Sequence, residues 1–514
     1  MENLSIISLN WNRIYLEIIF NNNIDDKIYL VKNNKKYEIC EDYITDNIIK
    51  MPITSAYDDV IVEEGQWEFL YKNKKVIIDK KEARNLDNLD KIFYYKNNNF
   101  CYNVSFTIDD DFSLVMNCHF MKKNNKPKKS EYGGKTKIVG YLVTFFRLLI
   151  RFEYKVLTLF KKNKNNRILF MSETRSALAG NLLALHNRMK ELNLDKKYKF
   201  SYSFKRVLSE RINPFYFMKV AYKISKVDYV IIDDYSPTFN YLNLKNTKLI
   251  QVWHAGTGFK SVGYSRFGKA GSPHPYISVH RKYDYAVVAS PKFIPVYEEV
   301  FGLTKKHFIV SGMLRLDGYL NENKVKSAKE KIYNLYPGIK GKNVILYAPT
   351  YRGVGQADAY YDTDKIDLDK LYETCKNNNY AVLFKYHPFI KNNIVIPDKY
   401  SDLFYDLFKY PDINELFYVT DILITDYSSN MYEFSIFEKP IIFFDYDMDE
   451  YAILRGVHQK LEDSPGNVCT TFNEVLDVLN NKNFDIEKVK KYKHDNGLDD
   501  INNSCDRLIN KLFK

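Results

Sequence analysis

From the start of the chain to about residue 121, apolar and polar residues alternate in short runs. IYLEIIF, KIYLV, DVIVEE, WEFLYKNKKVIID and CYNVSFTIDDDFSLVMNCHF are rich in β-branched and aromatic side chains. A period of two is the mark of half-buried strands. No segment of helical period interrupts them, so residues 1–121 are expected to form an antiparallel β-sandwich. Within it, Asp109–Asp111 reads as a hairpin turn and Cys118–His119 as strand packing rather than a metal site.

Residues 122–164 break the pattern. Lys122, Lys123, Lys126, Lys128, Lys129, Lys135 and Lys137 face only Glu131, and Pro127 and Gly133–Gly134 mark a linker. The period then becomes helical. At about 100° per residue, Ile138, Tyr141, Leu142, Phe145, Leu148, Leu149, Phe152, Val156 and Leu159 share one face. Arg147, Arg151 and Lys155 form a basic stripe beside it. Two readings stay open: a helix lying in an anionic membrane interface, or an amphipathic helix docked on the next domain.

From about residue 165 onward, continuous apolar runs alternate with helical stretches: RILFM, VDYVIID, KLIQVW, YAVVAS and FIVSG, then NVILYAP, YAVLFKYHP, DILITDYSS and PIIFFDYD. That alternation signals parallel sheets covered on both faces. It is too long for one doubly wound domain. Two Rossmann-like halves are expected, over residues 165–322 and 323–514, with C-terminal helices in the second.

Composition narrows the function. The 514 residues carry 76 Lys+Arg against 64 Asp+Glu, a net charge of +12, which favours an anionic partner. Cys40, Cys101, Cys118, Cys375, Cys469 and Cys505 are scattered without a CxxC pair, which argues against a zinc ribbon or a disulfide framework. No secretory signal and no run of about 18 apolar residues is seen.

In open α/β sheets, ligands bind at the carboxyl ends of the strands, and the unusual residues lie there. QVWHAGTGFKSVGYSRFGKAG places His254 directly after a strand, with Gly256, Gly258 and Gly263 to free the backbone and Lys260, Arg266 and Lys269 for charge. LYAPTYRG offers Arg352, whose planar fork suits phosphate. LFKYHPF puts Lys385 and His387 on one face of a strand that Pro388 ends. DILITDYSS carries Asp426, then Ser428 and Ser429 where a helix should begin, an expected anion site. Asp445, Asp447 and Asp449 are compatible with a divalent metal, although the motifs do not require one. Each cluster alone has a bland explanation: a satisfied histidine, a surface arginine, an ordinary N-cap or a solvated acidic loop.

Together, in this order, the clusters resemble the CDP-glycerol glycerophosphotransferase family, the teichoic acid polymerases, and are nearest its ribitol-phosphate polymerase branch. The resemblance covers roughly residues 165–480 and includes HRKYDYAVVASP, GMLRLDGY, TDYSSNMYEF and KPIIFF. It implies a GT-B architecture with the site between the two halves. It implies that a terminal hydroxyl of a lipid-linked poly(alditol phosphate) attacks a CDP-alditol and releases CMP. The family's paired histidines fall on His254 and His387, its phosphate-binding serines on Ser428 and Ser429, and its basic contacts on Arg352, Lys385 and Arg315. It also implies peripheral attachment at the cytoplasmic face of the membrane. Ala255 after His254, and Gly258–Phe259 before Lys260, depart from glycerol-type members and move the expected donor towards CDP-ribitol. A CDP-glycerol primase or polymerase, a capsule alditol-phosphate transferase and a sugar-transferring GT-B enzyme are the alternatives. A nucleic-acid binder is disfavoured because the aromatics fall inside apolar strands rather than among Lys and Arg.

Overall fold

A computed structural model describes residues 4–95, 100–122, 135–159, 161, 165–205, 214–244, 246–255, 261–268, 272–276, 278–353, 359–390, 394–455 and 463–514. The N-terminal region is built from two sheets. One runs in the order Ile44–Thr45, Ile48–Pro52, Tyr15–Phe20, Ser5–Asn12, Ile77–Ile78. The other runs Lys91–Tyr95, Phe100–Ile108, Leu114–Lys122, Gly65–Tyr71, Ile28–Lys32, Lys35–Glu38. Alternate residues of both, among them Ile6, Leu16, Ile18, Trp67, Phe69 and Tyr102, enter one core. DVIVEE is not a strand: Ile61 and Val62 are buried from irregular backbone. The hairpin turn after Ile108 forms as expected, with Asp109 accepting from the backbone N–H groups of Asp111 and Ser113.

This domain is fixed to the first α/β half. Tyr264 and Phe267 complete its core. Arg281 donates to the carbonyls of Thr54 and Asp59 at 2.7 and 2.6 Å, and His307 meets the Asp59 carboxylate at 2.7 Å. Gly263 is needed for this packing: at its φ of +56°, an added Cβ would lie 2.1 Å from the Val300 carbonyl oxygen. Its role is therefore close approach of two chain segments.

The amphipathic helix Lys135–Leu159 has two apolar sides. Ile150 and Tyr154 are buried in the core of the first half. Tyr141, Phe145, Leu148, Phe152 and Leu159 point outward and are largely exposed. Arg147 stacks over the Tyr241 ring at 4.9 Å.

Both α/β halves carry six-stranded parallel sheets. The first is ordered Lys199–Phe204, Arg167–Ser172, Tyr229–Ile232, Lys248–Gln251, Tyr285–Val288, Phe308–Val310. The second is ordered Phe404–Asp406, Tyr380–Phe384, Asn343–Tyr347, Ile422–Thr425, Ile441–Phe444, Asn467–Cys469. Their strands read as apolar runs because both faces are covered. A shared core joins the halves through Leu316, Tyr319, Tyr418, Tyr432 and Phe434. The chain does not stay in the second half to its end. Helix Ser504–Leu512 packs Cys505, Leu508 and Ile509 against Phe170, Leu182 and Leu185 of the first. Asp317 caps it, accepting from the N–H groups of Ser504 and Cys505 at 2.8 Å each.

Candidate functional site

Strand Lys248–Gln251 delivers His254 to the cleft, and four side chains shape the turn. Gln251 accepts from the Trp253 N–H at 2.9 Å, which helps hold Trp253 at a φ of +30°. The Asn181 amide donates to the carbonyls of Val252 and Trp253. The Tyr297 hydroxyl donates to the Ala255 carbonyl at 2.8 Å. Arg315 donates to the His254 carbonyl. The His254 ring is exposed, and its Nδ1 lies 3.1 Å from the Asp233 carbonyl oxygen. A carbonyl only accepts, so Nδ1 carries a proton, and in the neutral ring Nε2 is the acceptor. His254 and Arg315 line a cavity of about 1020 Å³ with Arg175, Asn187, Lys324 and Asn414.

His387 follows strand Tyr380–Phe384 in the second half. Its Nδ1 accepts from the Phe389 N–H at 3.2 Å, so a neutral ring carries its proton on Nε2. Tyr351 and Phe389 flank the ring at centroid distances of 4.7 Å. The two histidines thus have opposite tautomers: one imidazole presents a base, the other a donor.

Arg352 does not offer its fork to the cleft. Its guanidinium is 5% exposed and makes a bidentate pair with Asp447, both bonds 2.7 Å. It also donates to Asp426 at 2.7 Å and to the Thr350 carbonyl at 2.8 Å. Tyr361, Tyr427, Tyr446 and Tyr451 surround it with ring faces. Asp426, 1% exposed, accepts from the Thr350 N–H at 2.7 Å as well. Arg352 and Asp426 therefore staple three loops at the carboxyl ends of Asn343–Tyr347, Ile422–Thr425 and Ile441–Phe444. The first two of these strands flank the point where the strand order reverses, the usual ligand crevice.

Lys385 is likewise turned inward. Its ammonium donates to the carbonyls of Phe408 and Tyr410 at 2.8 and 2.7 Å, and burial holds its pKa below the usual lysine range. Arg352, Asp426 and Lys385, expected as phosphate contacts, each have protein partners inside the fold. Ser428 accepts from the Asn430 N–H at 3.3 Å, whereas Ser429 is half-buried and its side chain makes no capping hydrogen bond. Lys260 lies outside the described residues. Among the acidic triplets, Asp447 is held by Arg352, and Asp445 accepts from the Tyr427 hydroxyl. Burial pushes the Asp445 carboxyl up to about 6. Among the described residues, no group of three or more His, Cys, Asp or Glu is arranged to hold a metal.

Sequence reasoning missed several residues that build the site. Asp233 stands at the end of strand Tyr229–Ile232, where its carbonyl orients His254 and its carboxylate pairs with Arg175 at 2.8 Å. Its position at a strand's carboxyl end was the available signal. Glu433 lies inside the TDYSSNMYEF motif and takes the Arg315 guanidinium across the cleft. Asn181 carried no signal, because its role depends on a tertiary contact.

The model of the CDP-Glycerol:Poly(glycerophosphate) glycerophosphotransferase family matches residues 153–514. The teichoic acid ribitol-phosphate polymerase TarL of Staphylococcus aureus is 37% identical over 361 residues, covering 69% of this chain and 63% of that protein. TarK of the same species, also a teichoic acid ribitol-phosphate polymerase, is 30% identical over 503 residues, covering 96% and 92%. The solved wall teichoic acid polymerase TagF has a TM-score of 0.54 at 22% identity over 73% of this chain and 96% of that one, which shows the shared fold. That fold, a GT-B pair of α/β halves, is the one expected. The chain belongs to the CDP-glycerol:poly(glycerophosphate) glycerophosphotransferase family.

Proposed function

We propose that this chain transfers an alditol phosphate, with ribitol phosphate favoured, from a CDP-alditol to the terminal hydroxyl of a lipid-linked poly(alditol phosphate). The acceptor oxygen attacks phosphorus, its proton passes to Nε2 of His254, a phosphodiester forms and CMP leaves. Nε2–H of His387 donates to the phosphoryl or departing oxygens, where negative charge builds. The Ser429 hydroxyl supplies a further donor contact. Arg352, Asp426 and Lys385 act by fixing the loops around the donor. The observation that carries this reading is the pair of opposed histidine tautomers on facing halves of a family fold. Ribitol is favoured by the names of the relatives aligned over most of the chain. CDP-glycerol remains the second donor to test, since the family model is described by that chemistry. Incubation with CDP-ribitol, CDP-glycerol and UDP-sugars, followed by detection of CMP or UDP, separates the readings.

The acceptor's lipid places the work at a membrane, at its cytoplasmic face if the donor is a cytoplasmic nucleotide. Among the described residues, no helix is long and apolar enough to cross one. The outward side of Lys135–Leu159 supplies a peripheral contact: Tyr141, Phe145, Leu148 and Phe152 are exposed beside the exposed cations Arg147, Arg151 and Lys155. Its support is that combination of an apolar stripe and basic flank.

A further inference from the structure

A second cavity, of about 580 Å³, lies away from both histidines. Helix Lys135–Leu159 forms one wall through Arg151, Tyr154, Lys155, Thr158 and Leu159. The segment after strand Tyr229–Ile232 forms the other through Asn240, Tyr241, Leu242, Asn243 and Asn246, with Lys282 beside them. Its volume is in the range of small-molecule sites.

The lining has a definite chemistry. It includes three cations, Arg151, Lys155 and Lys282, and no carboxylate among the lining residues. Arg151 and Lys155 form no ion pair with a described carboxylate, and both are exposed. Lys282 is fixed by donation to the Leu242 carbonyl at 2.9 Å and to that of Phe239, which places its charge at the cavity wall. Burial, then the nearby Arg151 charge, holds its pKa below the usual lysine range, as uncompensated cations in a shared site should. Tyr154, Tyr241, Leu242 and Leu159 supply the apolar part of the wall. Leu148 and Phe152, one turn from Arg151 and Lys155, belong to the exposed apolar stripe, so cavity and stripe are continuous on one helix.

An anion on a hydrocarbon chain satisfies all of these features together. We propose that this cavity is a binding site for the phosphate headgroup of a membrane lipid, with Arg151 and Lys155 as its exposed contacts, Lys282 as its fixed one, and the lipid chain leaving along Leu148 and Phe152. This extends the membrane reading above from a surface to a defined site. A general basic surface would bind any anionic bilayer in proportion to charge; a built cavity also binds a single lipid molecule.

The test uses the full chain and does not depend on transferase activity. A short-chain phosphatidic acid, kept below its micellar concentration, is titrated by calorimetry, with inorganic phosphate as a parallel titrant. Saturable binding of the lipid, at least tenfold tighter than phosphate, is expected. Arg151→Gln with Lys155→Gln should weaken it tenfold or more, whereas Lys219→Gln with Lys226→Gln, the same charge removed from helix Pro214–Ser225 and the turn that follows it, should leave it unchanged. Equal affinity for phosphate and lipid would make this a bare anion site and overturn the proposal. So would absent lipid binding, or equal loss in both double variants when thermal unfolding shows each is folded. Vesicles of phosphatidylcholine, with and without phosphatidylglycerol, read the surface contact separately: monomer binding without vesicle binding keeps the site and removes the membrane reading.

Discussion

Arg315 joins the two halves beside His254: one arm of its guanidinium holds the His254 carbonyl, and the other meets the carboxylate of Glu433. Glu433 is 3% exposed and sits on helix Asn430–Phe434, directly after Ser428 and Ser429. Glu433→Ala would leave a largely buried guanidinium without its counter-charge, at a cost of about 3–5 kcal/mol for breaking such a pair. Denaturant unfolding should show that loss. Glu433→Gln keeps shape and a hydrogen bond, so it should fold with a smaller loss while turnover falls more than donor affinity. An unchanged kcat in Glu433→Gln would contradict a positioning role.

Arg352 leads to a different expectation from that of a phosphate contact. Its replacement by Lys removes the planar fork that holds Asp447 in two bonds and Asp426 in a third. Both carboxylates are buried or nearly so, and a point charge serves only one of them. Arg352→Lys should therefore lower unfolding stability by about 2 kcal/mol or more, and weaken CDP binding through disordered loops. Wild-type stability with weakened CDP binding would instead indicate direct contact.

The joint between the β domain and the first half carries a pH dependence. Glu298, on helix Ile294–Phe301, is 7% exposed, and burial, with the Asp42 charge next, raises its carboxyl from 4.5 to about 7. Lys305 and Asp59 also face it, with opposing effects. The folded chain therefore holds a proton that the unfolded chain releases. This contribution is fully present below the unfolded value, and is lost as pH rises from about 4.5 to about 7. Glu298→Gln should be more stable than wild type near about pH 8, and similar to it near about pH 4. Thermal unfolding across pH measures both; parallel profiles would show that Glu298 is not the source.

The two sides of helix Lys135–Leu159 should respond differently to substitution. Phe145→Ser with Phe152→Ser should leave thermal stability close to wild type and reduce binding to anionic vesicles, because both rings are exposed. Ile150→Ala should cost about 2–4 kcal/mol through the cavity it opens. A stability loss in the Phe145/Phe152 pair would mean that this side is covered rather than free.

Much of this architecture was legible from periodicity. The sandwich, the helix and nine strands of the α/β region follow from apolar patterning, because continuous runs such as NVILY and IIFF suit only doubly covered strands. The missed strands lie at sheet edges: Lys199–Phe204 alternates with polar residues, and Phe404–Asp406 and Asn467–Cys469 have three residues each. The return of Ser504–Leu512 to the first half was hidden, since its amphipathic period shows that it docks but not on what. Motif position singled out His254 and His387 as candidates. It did not show which charged groups face solvent. Arg352 and Lys385 look like exposed cations in a linear reading, and only their tertiary contacts reveal their carboxylate and carbonyl partners inside the fold.

The proposed role of His254 and His387 is service in an alditol-phosphate transfer. Mass analysis reads it from the product formed from CDP-ribitol on a lipid-linked acceptor, with CDP-glycerol and UDP-sugars in parallel. Wild-type protein should extend the acceptor by ribitol-phosphate units and release CMP. His254→Ala and His387→Ala, folded as judged by thermal unfolding, should each slow this by at least about 10²-fold. Extension by sugar units would rule out alditol-phosphate transfer, and near-normal extension by either folded histidine variant would remove that histidine from the reaction.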